Sequence, residues 1–247
     1  MANYLKSELY RVVHKKALYF FLAACIWVPL FMTLLTAASG GDNYANTEFV
    51  FKAASNMWSL LFFIIPLIVS LMVADEFTDG TLKNTVAYGI SRSTVFYGKW
   101  MMELLLLAIS WAVTYLALAG SVFLLLPNNG TSSFNEFTSA IVGVLPLTLA
   151  ALTISHCLCF LSEKPMPHLV AYAAIIIVLP ELYFMFAKEG TALSEIVSKV
   201  PVFPYAAVND LAWLMPNGLI LCWTIGTGYA LVAFLLSFRQ VETKEFK

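Results

Sequence analysis

Two acidic side chains and one histidine fall inside the long apolar runs of this chain: Glu103, Glu181 and His156. Charges placed in such surroundings mark transport routes more often than catalytic centres, which makes these three the pathway candidates. Each also has a structural reading. Glu103 stands one helical turn from Lys99 and can pair with it as an i,i+4 neighbour. Glu181 follows Pro180, where it either borders an outward cavity or reaches lipid headgroups. His156, between Ser155 and Cys157, suits a hydrogen bond to another helix. Cys157 and Cys159 point in different directions on a helix, so apolar packing is expected of them rather than metal ligation. An intramembrane hydrolase would need two acids, or a Ser–His pair, brought together at depth. Glu103 and Glu181 fall toward opposite faces, and the neighbours Ser155 and His156 diverge. No catalytic set and no metal set is expected.

The elements that must position these residues follow from composition. The chain has 247 residues, of which 60% are hydrophobic and 12% charged. A soluble domain carries about 25% charged residues. The class expected is all-α, a polytopic membrane protein with a single transmembrane domain over 1–247. Six apolar runs approach the roughly 20 residues that a bilayer core requires: Ala17–Ala38, Asn56–Ala74, Trp100–Leu126, Ser139–Leu161, Leu169–Ala187 and Gly218–Phe238. Backbone polar groups in lipid must be satisfied within the segment, so the runs are helices. The first run lacks a convincing cleavage site and reads as a span, not as a signal peptide.

Eleven Lys and Arg residues fall on one face: Lys6, Arg11, Lys15, Lys16, Lys83, Arg92, Lys99, Lys164, Arg239, Lys244 and Lys247. Three, Lys52, Lys188 and Lys199, fall on the other. This bias puts both termini in the cytoplasm of a cell membrane. The net charge of −1 is uninformative about nucleic acid, but there is no basic stripe to follow phosphates, so no nucleic-acid partner is expected.

Three segments lie outside the spans. Over residues 2–16, Leu5, Leu9, Val12 and Val13 share a helical face and Lys6, Arg11, Lys15 and Lys16 surround it. That pattern predicts an amphipathic helix in the cytoplasmic interface, against anionic lipid. Residues 188–217 are apolar but broken by Pro201, Pro204 and Pro216. They are expected to form short outer helices around 191–200 and 205–214, in a re-entrant segment. The third is the polar stretch 75–99, DEFTDGTLKNTVAYGISRSTVFYGK. Gly80 suits a turn into a short helix over Thr81–Tyr88, Gly89 a stop, and Ser91 the cap of the next helix. Leu82, Val86 and Tyr88 are expected to be available to a docking partner.

The pattern Glu76, Gly80-Thr81-Leu82-Lys83, Gly89, Ser91-Arg92 and Lys99 resembles the signature of ABC-2-type transporter permeases. It is closest to the small six-span permeases of bacitracin and lantibiotic resistance or immunity. Ile90 stands where many relatives carry proline. The N-terminal segment resembles that family's elbow helix, and 188–217 its outer gate helices. The resemblance implies that Glu76, Gly80, Thr81, Leu82, Lys83, Ser91, Arg92 and Lys99 couple the chain to an ATPase. It implies a bacterial exporter of an antimicrobial or amphipathic peptide, with an ABC ATPase dimer and a second permease subunit as partners. No cofactor is expected in this chain. ATP and Mg would be bound by the ATPase, because Gly98-Lys99 lacks the upstream glycine and the following hydroxyl of a phosphate-binding loop. A non-transporting sensor or scaffold subunit is the alternative reading.

Overall fold

The computed structural model describes residues 1–40, 44–55, 57–128, 131–179, 182 and 217–243. Helix α1 (Ala2–Val13) is separated from α2 (Lys16–Ala38) by Lys15, whose backbone is extended. Helix α3 (Thr47–Ser55) is capped by Asn46, whose side-chain oxygen accepts from Phe49 N–H at 2.8 Å. A 3₁₀ turn at Trp58–Leu60 leads into α4 (Leu61–Val69), a π-helical turn (Ser70–Ala74), α5 (Asp75–Thr78) and α6 (Thr81–Ala87). The long helices α7 (Arg92–Leu125) and α8 (Ser132–Ser162) follow. Helix α9 (Pro165–Ala173) starts on a proline, ends in a second π-helical turn (Ala174–Val178), and is followed by α10 (Asn217–Thr243). No strand occurs among the described residues.

Among the described residues, four helices are long and apolar enough to cross a membrane: α2, α7, α8 and Leu219–Ser237 within α10. With the helical content, they make this a multi-pass membrane protein. Their outward faces agree. Phe20, Trp27, Val28 and Phe31 of α2 are each at least 60% exposed, a surface that lipid solvates and water would not. Of the six expected spans, the second and fifth are met only by shorter apolar helices, Leu61–Val73 and Pro165–Val178. Most of the fifth beyond Leu179 lies outside the described residues.

The second is not a uniform α-helix, and the reason is physical. Pro66 has no N–H to give the carbonyl of Phe62, and the Tyr172 hydroxyl donates to that carbonyl instead, at 2.9 Å. Four residues on, the ladder widens into the π turn. The third span starts earlier than its apolar run, at Arg92, because the Ser91 hydroxyl caps the polar first turns.

Helix α8 is the centre of the bundle and packs on α3, α4, α7, α9 and α10. Val144, Leu147, Ala150, Ala151 and Leu152 on it are wholly buried. Gly226 of α10 rests on the Pro146 carbonyl of α8, where a Cβ would come within 2.4 Å. The other small residues nearby on α10 do not pack in this way. Gly228 faces open space, and Thr224 and Thr227 bond back to carbonyls of their own helix.

Candidate functional site

The polar stretch 75–99 folds as two short helices and the start of α7. Gly80 (φ 66°) and Gly89 (φ 89°) adopt left-handed backbone on either side of α6, where a side chain would be strained. Behind α6, Tyr88 N–H bonds to Asn84 O at 2.9 Å and Gly89 N–H to Val86 O at 3.0 Å. Ser91 then accepts from Thr94 N–H at 3.2 Å, opening α7. One expectation is corrected here. Leu82 is 2% exposed and packs inward, so it is not available to a partner. The α6 face that remains open carries Thr81 and Lys83, and Tyr88 beyond it is 88% exposed.

The two ends of this stretch meet under α1. Lys99 is wholly buried, with its ammonium 2.6 Å from Glu8 Oε2 and also paired with Glu76 Oε1. Arg11 donates to Glu8 Oε2 at 2.8 Å and pairs with Glu76 as well. Two cations thus face two carboxylates, which is how buried charge is tolerated. Burial pushes the Glu8 carboxyl up, but the Lys99 ammonium and the Arg11 guanidinium outweigh it and hold its pKa below the ordinary glutamate value.

The same helix closes the π turn. Arg11 Nη2 donates to Met72 O and Lys15 Nζ to Leu71 O, each at 2.8 Å. The Tyr4 ring lies against Gly98, close enough that a Cβ there would meet it at 2.5 Å. The charge cluster therefore fastens α1, the start of the 75–99 stretch and the first turns of α7 to one another.

Two expectations about these residues change. The cations Arg11 and Lys15 turn inward to backbone carbonyls instead of surrounding an apolar stripe at the headgroups. The buried face of α1 is Tyr4, Glu8 and Val12, while Leu9 and Val13 are exposed. Lys99 does not pair with Glu103, because Glu8 and Glu76 reach it from other elements and Glu103 is bound elsewhere. Both carboxylate oxygens of Glu103 lie 2.9 Å from His156 Nδ1, with both side chains wholly buried. The imidazole packs with the rings of Phe96 and Phe160, at 4.5 and 4.7 Å, and those two rings also touch each other at 5.1 Å. His156 is thus the interhelical partner its position suggested.

Beside it, Ser155 Oγ is 2.8 Å from His168 Nε2, and Cys157 and Cys159 are buried in the bundle. Among the described residues no group of three or more His, Cys, Asp or Glu side chains is placed to hold a metal ion. Glu181 and the outer helices expected over 191–200 and 205–214 lie outside the described residues.

Residues 4–181 match the family described as ABC-2 family transporter protein. The chain belongs to the ABC-2 transporter family. It is a permease component of an ABC transporter, and permeases of this family normally work with an ATPase partner. No curated protein sequence matches it.

The family match takes in every member of the cluster, Glu8, Arg11, Glu76 and Lys99, together with Glu103 and His156. Sequence reading selected Glu76 and Lys99 of this ABC-2 permease but missed Glu8 and the inward role of Arg11. A signal was present: Glu8 is the only acid in an otherwise basic helix and stands three residues before Arg11, an i,i+3 pair.

Proposed function

We propose that the chain is the transmembrane subunit of an ATP-driven exporter that removes an antimicrobial or amphipathic peptide from a bacterial plasma membrane. In this reading α1 is the elbow helix, the shorter apolar helices complete six spans, and both termini are cytoplasmic. The 75–99 stretch is the coupling element. Separate ATPase chains bind ATP and Mg and press on its open face, at Lys83 and Tyr88. A second permease subunit completes the pathway. The chain itself catalyses no reaction, and antibiotic resistance or lantibiotic immunity is the biological outcome.

The observation that carries the reading is the buried cluster of Glu8, Arg11, Glu76 and Lys99. It gives a surface stretch a stiff connection to the long helix α7, as a transmitter of an ATPase stroke requires. The pairs are neutral as a set, and Glu8, Glu76 and Lys99 are buried, which lets them hold geometry. The test is co-purification with the ATPase encoded beside this chain. Tyr88→Ala with Lys83→Glu should abolish it while the permease remains folded. Undiminished ATPase capture by that double variant contradicts the placement of the docking face.

A further inference from the structure

Glu103 of α7 and His156 of α8 meet between two helices that are long and apolar enough to cross a membrane. Both side chains are wholly buried. Among the described residues, His156 is the only hydrogen-bond partner of the Glu103 carboxylate. The protons that this pair carries follow from its geometry and its surroundings.

The first proton is on Nδ1. That atom stands 2.9 Å from both carboxylate oxygens. An N–H aimed between two equivalent acceptors gives such symmetry, whereas a carboxylic acid donates from one oxygen alone. His156 Nδ1 is therefore the donor and Glu103 the ionised acceptor.

Charge balance requires a second proton. With Nδ1 alone protonated, the pair would carry a net charge of −1 away from water, held by a single donor, and an ion so placed is costly. No neighbouring cation offsets it. On α7, Lys99 is one turn away, but Lys99 and Arg11 already face Glu8 and Glu76. On α8, the thiols of Cys157 and Cys159 can add only negative charge. On α9, His168 lies within electrostatic reach of His156, yet its Nε2 is 2.8 Å from the Ser155 hydroxyl, a partner that a neutral ring satisfies. The contributions of α5 and α10 are aromatic: Phe77 packs on Phe160, and Phe234 on Phe96.

His156 can hold the missing proton itself. Its Nε2 is buried and has no hydrogen-bond partner among the described residues. Phe96 and Phe160 stand 4.5 and 4.7 Å from the imidazole, inside the roughly 6 Å over which an aromatic ring attracts a cation. An N–H is favoured beside π clouds, and a lone pair is not.

We propose that Glu103 and His156 form an intramembrane proton-binding site, in which a proton at His156 Nε2 completes a neutral imidazolium–carboxylate pair. Nδ1–H donates to Glu103, Nε2 takes up the added proton, and the net charge goes from −1 to 0. The pair ties α7 to α8. Parting the two helices admits water, where a lone imidazole gives up its proton above the ordinary histidine value of about 6.5. Movement of α7 against α8 is thereby linked to proton release. The site is defined by this chain and does not rest on the export reading.

The test is nitrogen-15 NMR of the full-length, histidine-labelled chain in phosphatidylcholine nanodiscs at about pH 7.5. The His156 signals are those lost in His156→Asn or, should that variant not fold, those left by His14→Asn and His168→Asn. Both ring nitrogens of His156 should be protonated in the native chain, and only one in Glu103→Gln. A second measurement counts protons released on thermal unfolding in detergent, from the heat in buffers of different ionisation enthalpy. The native chain should release one proton more than Glu103→Gln. A singly protonated His156 in the native chain overturns the proposal, and that reading needs no Glu103 variant. An imidazolium that persists in Glu103→Gln overturns it as well, and equal proton release by the two chains overturns the linkage to helix movement.

Discussion

At the scale of residues, Lys99 decides most. It is the wholly buried cation of the cluster, and its removal leaves Glu8 and Glu76 to share the partly exposed Arg11 as their one remaining partner in the cluster. Lys99→Met should therefore cost about 3–5 kcal/mol, as broken buried ion pairs do. The double variant Lys99→Met, Glu76→Gln should recover part of that loss, measured by thermal unfolding in detergent.

Glu8 gives a pH signature. Its folded pKa lies below its unfolded one, so the folded state binds fewer protons and stability rises with pH. The contribution is complete above the unfolded glutamate value, about 4.3, and is lost as pH falls through the depressed folded value. Acid should loosen α1 before the rest of the bundle, read as hydrogen exchange over residues 2–13, and Glu8→Gln should remove that acid-dependent step.

At the scale of elements, the contact between α1 and α7 depends on a missing side chain at Gly98. A Cβ there would lie 2.5 Å from the Tyr4 ring. Gly98→Val should displace α1 at a cost of about 1–3 kcal/mol, typical of overpacking, and Tyr4→Ala in the same chain should relieve it. Hydrogen exchange of α1 reads both. The second span carries a similar dependence, since Tyr172→Phe removes the hydroxyl that donates to the Phe62 carbonyl.

These contacts show where the sequence was readable. Helix class, the four long apolar helices and the Ser91 cap depend on local pattern and were visible in it. The partner of Lys99 was not. Proximity in sequence pointed to Glu103, whereas the partners stand at positions 8 and 76, brought in by packing. The inward turn of Arg11 and Lys15 was equally hidden, because it requires a π turn at 70–74 that no local propensity announces.

At the scale of the whole molecule, one fastened unit joins the N-terminal helix, the polar stretch and α7, and the apolar bundle centred on α8 lies beyond it. Orientation is open to direct measurement. A cysteine at Ser91 should resist a membrane-impermeant thiol reagent in intact cells, while one at Ser132 should react. The reverse pattern would invert the topology.

The central claim is that the buried charges carry an ATPase's motion into the helices. It is tested most directly by ATP hydrolysis of the assembled transporter in proteoliposomes, comparing the native permease with Arg11→Gln, Lys15→Gln, which frees the π turn from α1. The account predicts intact assembly and basal hydrolysis, with substrate stimulation lost. Full stimulation in that variant would contradict it.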